Sequence, residues 1–149
     1  MNGWQINTPG IIWSLAEMIF RRLWSLGRPD DFSGALCVGL TPADIGLALY
    51  VADTYNRAGR PAKHLSHGQL PHCNGAGPPT AYELPPEVKG SKILFVTSHI
   101  DETRVGYLDK LCSAIRKSGG HVIGIGAVKT EVSKDVVRQL SIPLYAVEE

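Results

Sequence analysis

Neither sign of charge dominates this sequence: fifteen Lys and Arg stand against fourteen Asp and Glu, a formal net charge of +1. A field that weak gathers no polyanion, so neither nucleic acid nor an anionic membrane is an expected partner. Cysteine is scarce and odd in number. Cys37, Cys73 and Cys112 show no C-x-x-C spacing, which points away from a disulfide framework and towards reduced thiols in the cytoplasm. Long apolar runs are missing too. The best one, Ile11 to Leu26, is broken by Glu17, Arg21 and Arg22 and lacks a basic lead and a cleavage site, so it reads as neither signal peptide nor membrane span. There is no G-x-S-x-G, and Gly39 with Gly46 falls short of G-x-G-x-x-G. An esterase-type serine and a nicotinamide cofactor are therefore not expected. With no repeat and no break in composition, residues 1–149 read as one domain.

What is present is a series of short apolar runs separated by helical patterns. Pro9 near a first turn, apolar positions from Ile11 to Leu26, and then Gly27 and Pro29 predict a helix over about 9–26. Its apolar residues cover more than one face, so a homodimer contact is the expected use of the second surface. Ala35 to Val38 reads as a strand, followed by Thr41 as a cap, Pro42 and Asp44 in a first turn, and a helix that ends at Gly59. Residues 64–88 are dense in Gly, Pro and His and read as a long loop, serving as a lid, a binding loop or a mobile excursion. Ile93 to Val96, Val122 to Val128 and Leu144 to Val147 read as further strands. Helices fall between them at about 104–117 and 132–140. Strands and helices alternating at this spacing predict an α/β, three-layer, Rossmann-like domain with a mainly parallel central sheet of about five strands.

In such a sheet a ligand sits beyond the carboxyl ends of the strands, where helix N-termini point free N–H groups into a crevice. Three segments meet that rule: Leu40 to Asp44, Thr97 to Arg104, and Lys129 to Ser133. Ser98, Asp101, Glu102 and Thr103 suit the binding of a phosphate or sugar, and equally suit the capping of a helix with no ligand at all. His99 reads as a general acid or base, or as a cap residue. His64, His67, His72 and Cys73 are residue types that zinc accepts, but their spacing fits no closed motif, and no metal site is expected.

Lys89-Gly90-Ser91-Lys92-Ile93-Leu94-Phe95-Val96, a polar turn, a helix, Gly119-Gly120 and Val122-Ile123-Gly124-Ile125 resemble the phosphate-loop region of type I phosphoribosyltransferases. The closing Leu140-Ser141-Ile142-Pro143-Leu144-Tyr145 is similar to the end of orotate phosphoribosyltransferases, and Val38-Gly39-Leu40 falls where the family has its pyrophosphate loop. The resemblance implies a nucleotide or phosphosugar ligand. Gly39, Thr41, Ser98, Thr103, Arg104 and Lys129 would bind it, with Asp101, Glu102 and His99 as the candidate catalytic groups. No cofactor is implied beyond Mg for an active transferase. The family's two adjacent acidic residues are replaced by Thr97-Ser98, and charged side chains stand where its turn has glycines, so groups that engage the ribose and phosphate are lost. Asp44 and Asp101 also add negative charge near any phosphate, to be offset by Arg104 or Lys129.

Ser98-His99-Ile100-Asp101-Glu102-Thr103 also resembles the S-x-S-G-E-T of sugar isomerase (SIS) domains at Ser98, Glu102 and Thr103. In that reading Ser98 and Thr103 hold the phosphate, and Glu102 or His99 moves protons. Three functions therefore stay open: a phosphoribosyltransferase-like domain with catalysis kept or lost, an isomerase-type phosphosugar domain, and a non-catalytic dimeric interaction module. A rigid turn around an empty cup favours binding, and side chains filling the cup favour the module.

Overall fold

The apolar runs around Leu36 and Phe95 form neighbouring parallel strands in the middle of a five-stranded sheet. The structure, a computed structural model, describes residues 9–26, 32, 34–60, 62–64, 84, 86–139 and 142–148. In chain order the elements are α1 (Pro9–Leu26), β1 (Ala35–Gly39), α2 (Ile45–Arg57), β2 (Ala62–His64), β3 (Lys92–Ile100), α3 (Glu102–Lys117), β4 (His121–Thr130), α4 (Lys134–Arg138) and β5 (Leu144–Glu148), with 3-10 turns at Pro42–Asp44 and Pro86–Val88. Strand order is β2-β1-β3-β4-β5 and every pairing is parallel. The α/β class and the strand number match the expectation, and the sheet is wholly rather than mainly parallel.

Both faces of the sheet are covered, which is why its central strands are nearly continuous apolar runs. Leu36, Val38, Ile93 and Phe95 pack with Leu108, Leu111, Cys112 and Ile115 of α3. Cys37, Leu94 and Val96 face the other way, into a second core with Leu15, Ile19 and Leu23 of α1 and Leu47, Val51 and Tyr55 of α2. α1 comes close to the sheet because β4 offers a glycine there: a Cβ on Gly126 would lie 2.8 Å from Ile19 Cγ2. The outer side of this layer leaves Met18, Trp24, Leu26 and Leu49 exposed. Trp13 is partly covered from within, with the Arg57 guanidinium 3.9 Å from its ring centroid and the Tyr50 ring edge-on at 5.4 Å.

Some boundaries differ from the expected ones. β2 was not expected, because Ala-Lys-His carries no strand period; Asn56 pins it by donating to the Ala62 carbonyl at 3.0 Å and accepting from its N–H at 3.0 Å. Residues 97–100, expected as a loop, continue β3 and pair with β4 as far as Ile100 beside Thr130. α3 begins at Glu102 rather than Arg104, and α4 is shorter than expected. Most of the 64–88 loop, with His67, His72 and Cys73, lies outside the described residues, as does the His64 side chain. No described helix is long and apolar enough to cross a membrane.

Cys37 and Cys112 are free and buried. Burial pushes both thiols up to about 12; at Cys112 Asp109 adds to that and Arg116 opposes it. The thiolate is the reactive form. Neither residue should therefore label with iodoacetamide at pH 8 until the chain unfolds, an outcome that peptide mass mapping with and without urea checks.

Candidate functional site

The crossover after β1 leads to β2 on one side, while β3 lies on the other, so the order of the sheet reverses between β1 and β3. At such a switch point the connections diverge and leave a crevice at the carboxyl ends. Here the crevice is occupied by the chain itself. After Gly39 the backbone turns through Leu40, whose N–H donates to the Val96 carbonyl at 3.1 Å, and enters the 3-10 turn that ends at Asp44. That turn rests on Gly39: a Cβ there would lie 2.8 Å from the Asp44 carbonyl carbon and 2.9 Å from the Ile45 nitrogen.

Asp44 is fully buried. Its Oδ2 accepts from the Thr41 N–H at 3.1 Å and from the hydroxyls of Thr41 at 2.9 Å and Thr97 at 2.8 Å. Its Oδ1 accepts from the Ser98 N–H at 3.1 Å. A carboxylate tolerates burial when its lone pairs are met this fully. Asp44 gives no side-chain cap to α2; its bonds instead tie the β1 turn to the end of β3. Asp44 and Thr97 lie in segments expected to border the ligand but were not among the nine named site residues. The signal for Asp44 was the Thr41 to Asp44 spacing, which lets a turn close through side chains.

A second cluster lies at the junction of β3 with α3. Asp101 is the N-cap: its extended backbone ends the strand and its Oδ1 accepts from the Arg104 N–H at 2.8 Å. Asp101 Oδ2 lies 3.4 Å from both Arg104 Nη1 and His99 Nε2. Arg104 Nη1 also makes a hydrogen bond to His99 Nε2. A guanidinium only donates, so His99 Nε2 accepts, its proton sits on Nδ1, and that N–H points to Ser98 Oγ at 3.2 Å. In this arrangement His99 does not take the Ser98 proton; it donates to the Ser98 oxygen. Partial burial works to raise the Asp101 pKa, but the Arg104 backbone N–H and the Arg104 guanidinium outweigh it and hold the carboxyl below its ordinary value.

The nine expected site residues therefore divide. Gly39 and Thr41 belong to the Asp44 turn, while Ser98, His99, Asp101 and Arg104 form one hydrogen-bonded chain. Lys129 is exposed on β4, in register with His99 on one side and Glu148 on the other. Glu102 and Thr103 lie in the exposed first turn of α3. The N-terminus of that helix, an attractive place for a phosphate, already carries the Asp101 carboxylate. Magnesium needs several oxygen ligands. The position of the family's acidic pair offers only the hydroxyls of Thr97 and Ser98, the first already given to Asp44. Among the described residues no group of three or more His, Cys, Asp and Glu side chains is placed to hold a metal ion. Among the described residues the donor set at this position does not fit magnesium.

No family model and no curated protein matches the chain. Solved structures do. Adenine phosphoribosyltransferase from Rhodothermus marinus gives a TM-score of 0.57 at 13% identity, over 96% of this chain and 81% of that one. The Saccharomyces cerevisiae adenine phosphoribosyltransferase, solved with an imino-altritol bisphosphate and adenine, gives 0.61 at 13% identity over 95% and 81%. Hypoxanthine-guanine phosphoribosyltransferase from L. donovani gives 0.50 at 18% identity over 95% and 80%. Likeness at such low identity is likeness of fold, and the chain has the α/β fold of the type I phosphoribosyltransferases.

Proposed function

We propose that this chain is a phosphoribosyltransferase-fold domain that binds a nucleotide or phosphosugar at the carboxyl ends of β3 and β4 and does not transfer the phosphoribosyl group. The observation that carries the binding half is Arg104. Its guanidinium is mostly buried at the mouth of the site, its Nε is buried without a hydrogen-bond partner among the described residues, and its nearest carboxylate is 3.4 Å away. The 3.4 Å contact leaves the outer part of the guanidinium weakly paired, and a phosphate oxygen meets it better. Ser98 is hydrogen-bonded to His99, Lys129 is in register with His99 on the next strand, and Thr103 is one residue before Arg104. The loss of transfer follows from Thr97 and Ser98. They replace the acidic pair that the family places against the ribose, and the Thr97 hydroxyl and Ser98 N–H are already given to Asp44. The same reading takes the domain to be cytoplasmic and dimeric.

A non-catalytic interaction module is the second reading, favoured by the Asp44 side chain that fills the switch-point crevice. Thermal shift separates the two, because a ligand specific to the folded state raises the melting temperature. Phosphoribosyl pyrophosphate, a nucleoside monophosphate or ribose 5-phosphate at millimolar concentration is expected to stabilise the protein. Arg104→Met should weaken that binding by at least roughly tenfold, the worth of one charged hydrogen bond. No pyrophosphate should appear from phosphoribosyl pyrophosphate and a free base. Absence of any shift favours the interaction module, and release of pyrophosphate ends the claim that transfer is lost.

A further inference from the structure

A cavity of about 360 Å³ opens at the other end of the sheet, lined by Phe32, Lys92, Ile123, Pro143 and Tyr145. Lys92 is the first residue of β3, Ile123 is the third of β4, and Tyr145 is the second of β5, so the cavity sits at the amino ends of the strands, away from the site above. Its origin lies in the register. Ile93 pairs with Val122 and Leu94 with Gly124, so Ile123 has no partner on β3 and is spare from the ladder. Gly124 leaves room for the Tyr145 ring, which a Cβ at that position would meet at 3.1 Å. Phe32 stands edge-on to Tyr145 with centroids 5.7 Å apart, forming an aromatic corner.

We propose that this cavity is a second ligand site, for a small aromatic carboxylate, distinct from the nucleotide or phosphosugar site. Its size falls within the range of small-molecule pockets, and its lining has the usual composition: apolar and aromatic walls with few polar groups. Two rings at a right angle present both a face and an edge to a third ring. The charge of the ligand follows from Lys92, the one charged side chain among the described lining residues. Lys92 forms no ion pair among the described residues and is in register with His121, an exposed histidine on the next strand. The Lys92 ammonium makes an acid complementary there.

The test is isothermal titration of the full chain with 2-naphthoate, with 2-naphthamide as the neutral analogue. Saturable binding at one site per chain is expected. Lys92→Gln should weaken the acid about fivefold and leave the amide unchanged, in line with an exposed charge pair. Ile123→Trp, which fills the cavity, should abolish both. Lys92 is an exposed strand residue, so its variant keeps the test open even if Ile123→Trp folds poorly. No saturable binding by the native protein overturns the proposal, as does binding of the acid that is indifferent to Lys92→Gln.

Discussion

Asp44→Ala is expected to lower the unfolding free energy by ~3–5 kcal/mol, with several buried donors losing their acceptor at once. In the native chain this carboxylate takes the N–H groups of Thr41 and Ser98 and the hydroxyls of Thr41 and Thr97. The hydroxyls can turn to other acceptors. The backbone N–H groups cannot, and at a fully buried position water does not readily replace the lost oxygens. For a domain of this size the loss corresponds to a fall in melting temperature of roughly 10 °C. Asp44→Asn should cost less, about 1–3 kcal/mol, because its carbonyl can still serve Ser98 while its NH₂ faces the Thr41 N–H donor to donor. Urea denaturation of the three proteins gives the order directly. If Asp44→Ala unfolds at the same urea concentration as the native chain, the carboxylate is not holding β1 to β3 and the crevice is not filled in the way described.

That outcome also bears on function. Asp44 stands at the switch point, where the fold ordinarily leaves space for a ligand. A side chain that contributes several kcal/mol from inside that space makes the crevice a part of the core. On the proposed reading, a ligand is then left the outer cluster of Ser98, His99 and Arg104, with Lys129 in register beside His99. The two clusters meet at Ser98, whose N–H belongs to the first and whose hydroxyl belongs to the second.

Much of the fold was legible because parallel strands buried on both faces leave continuous apolar runs, and the runs around Leu36, Phe95, Ile125 and Ala146 stand out against polar turns. α1 was legible end to end from Pro9 and the helical spacing of Leu15, Ile19 and Leu23. β2 was not, since three residues held by Asn56 carry no pattern. The extension of β3 through His99 was hidden for a different reason: Thr97, Ser98 and His99 are polar because their partners are side chains and the edge of β4, and polarity in sequence reads as a loop. The candidate site was legible as a location, but the division of its residues into a buried Asp44 turn and an outer Arg104 cluster depends on where β1 and β3 are brought together, some 50 residues apart in sequence.

The Asp44 turn has a second point of failure, at Gly39. Its φ is ordinary, so the demand there is for space. A methyl group would meet the carbonyl carbon of Asp44 at 2.8 Å and its oxygen and the Ile45 nitrogen at 2.9 Å, all of them backbone atoms. No rotamer change relieves such a contact. Either the 3-10 turn lifts away from β1, breaking the Asp44 hydrogen bonds, or the strand shifts against β3. Gly39→Ala should therefore cost about 3 kcal/mol or more, the upper end of overpacking. Gly126→Ala is the informative comparison, because its 2.8 Å contact is with Ile19 Cγ2, a side-chain rather than a backbone atom, so that relief takes a small shift of α1 and not a break in the turn; about 1–3 kcal/mol is expected there. Gly106→Ala meets nothing within 4 Å in the middle of α3 and should raise stability by about 0.5–1 kcal/mol through helix propensity alone. Because Gly39 and Asp44 support one turn, Gly39→Ala combined with Asp44→Ala should cost clearly less than the sum of the two, whereas Gly106→Ala should add independently to either. Additive losses for Gly39 and Asp44 would mean that the glycine serves some contact other than the turn, and the packing account of the filled crevice would have to be abandoned.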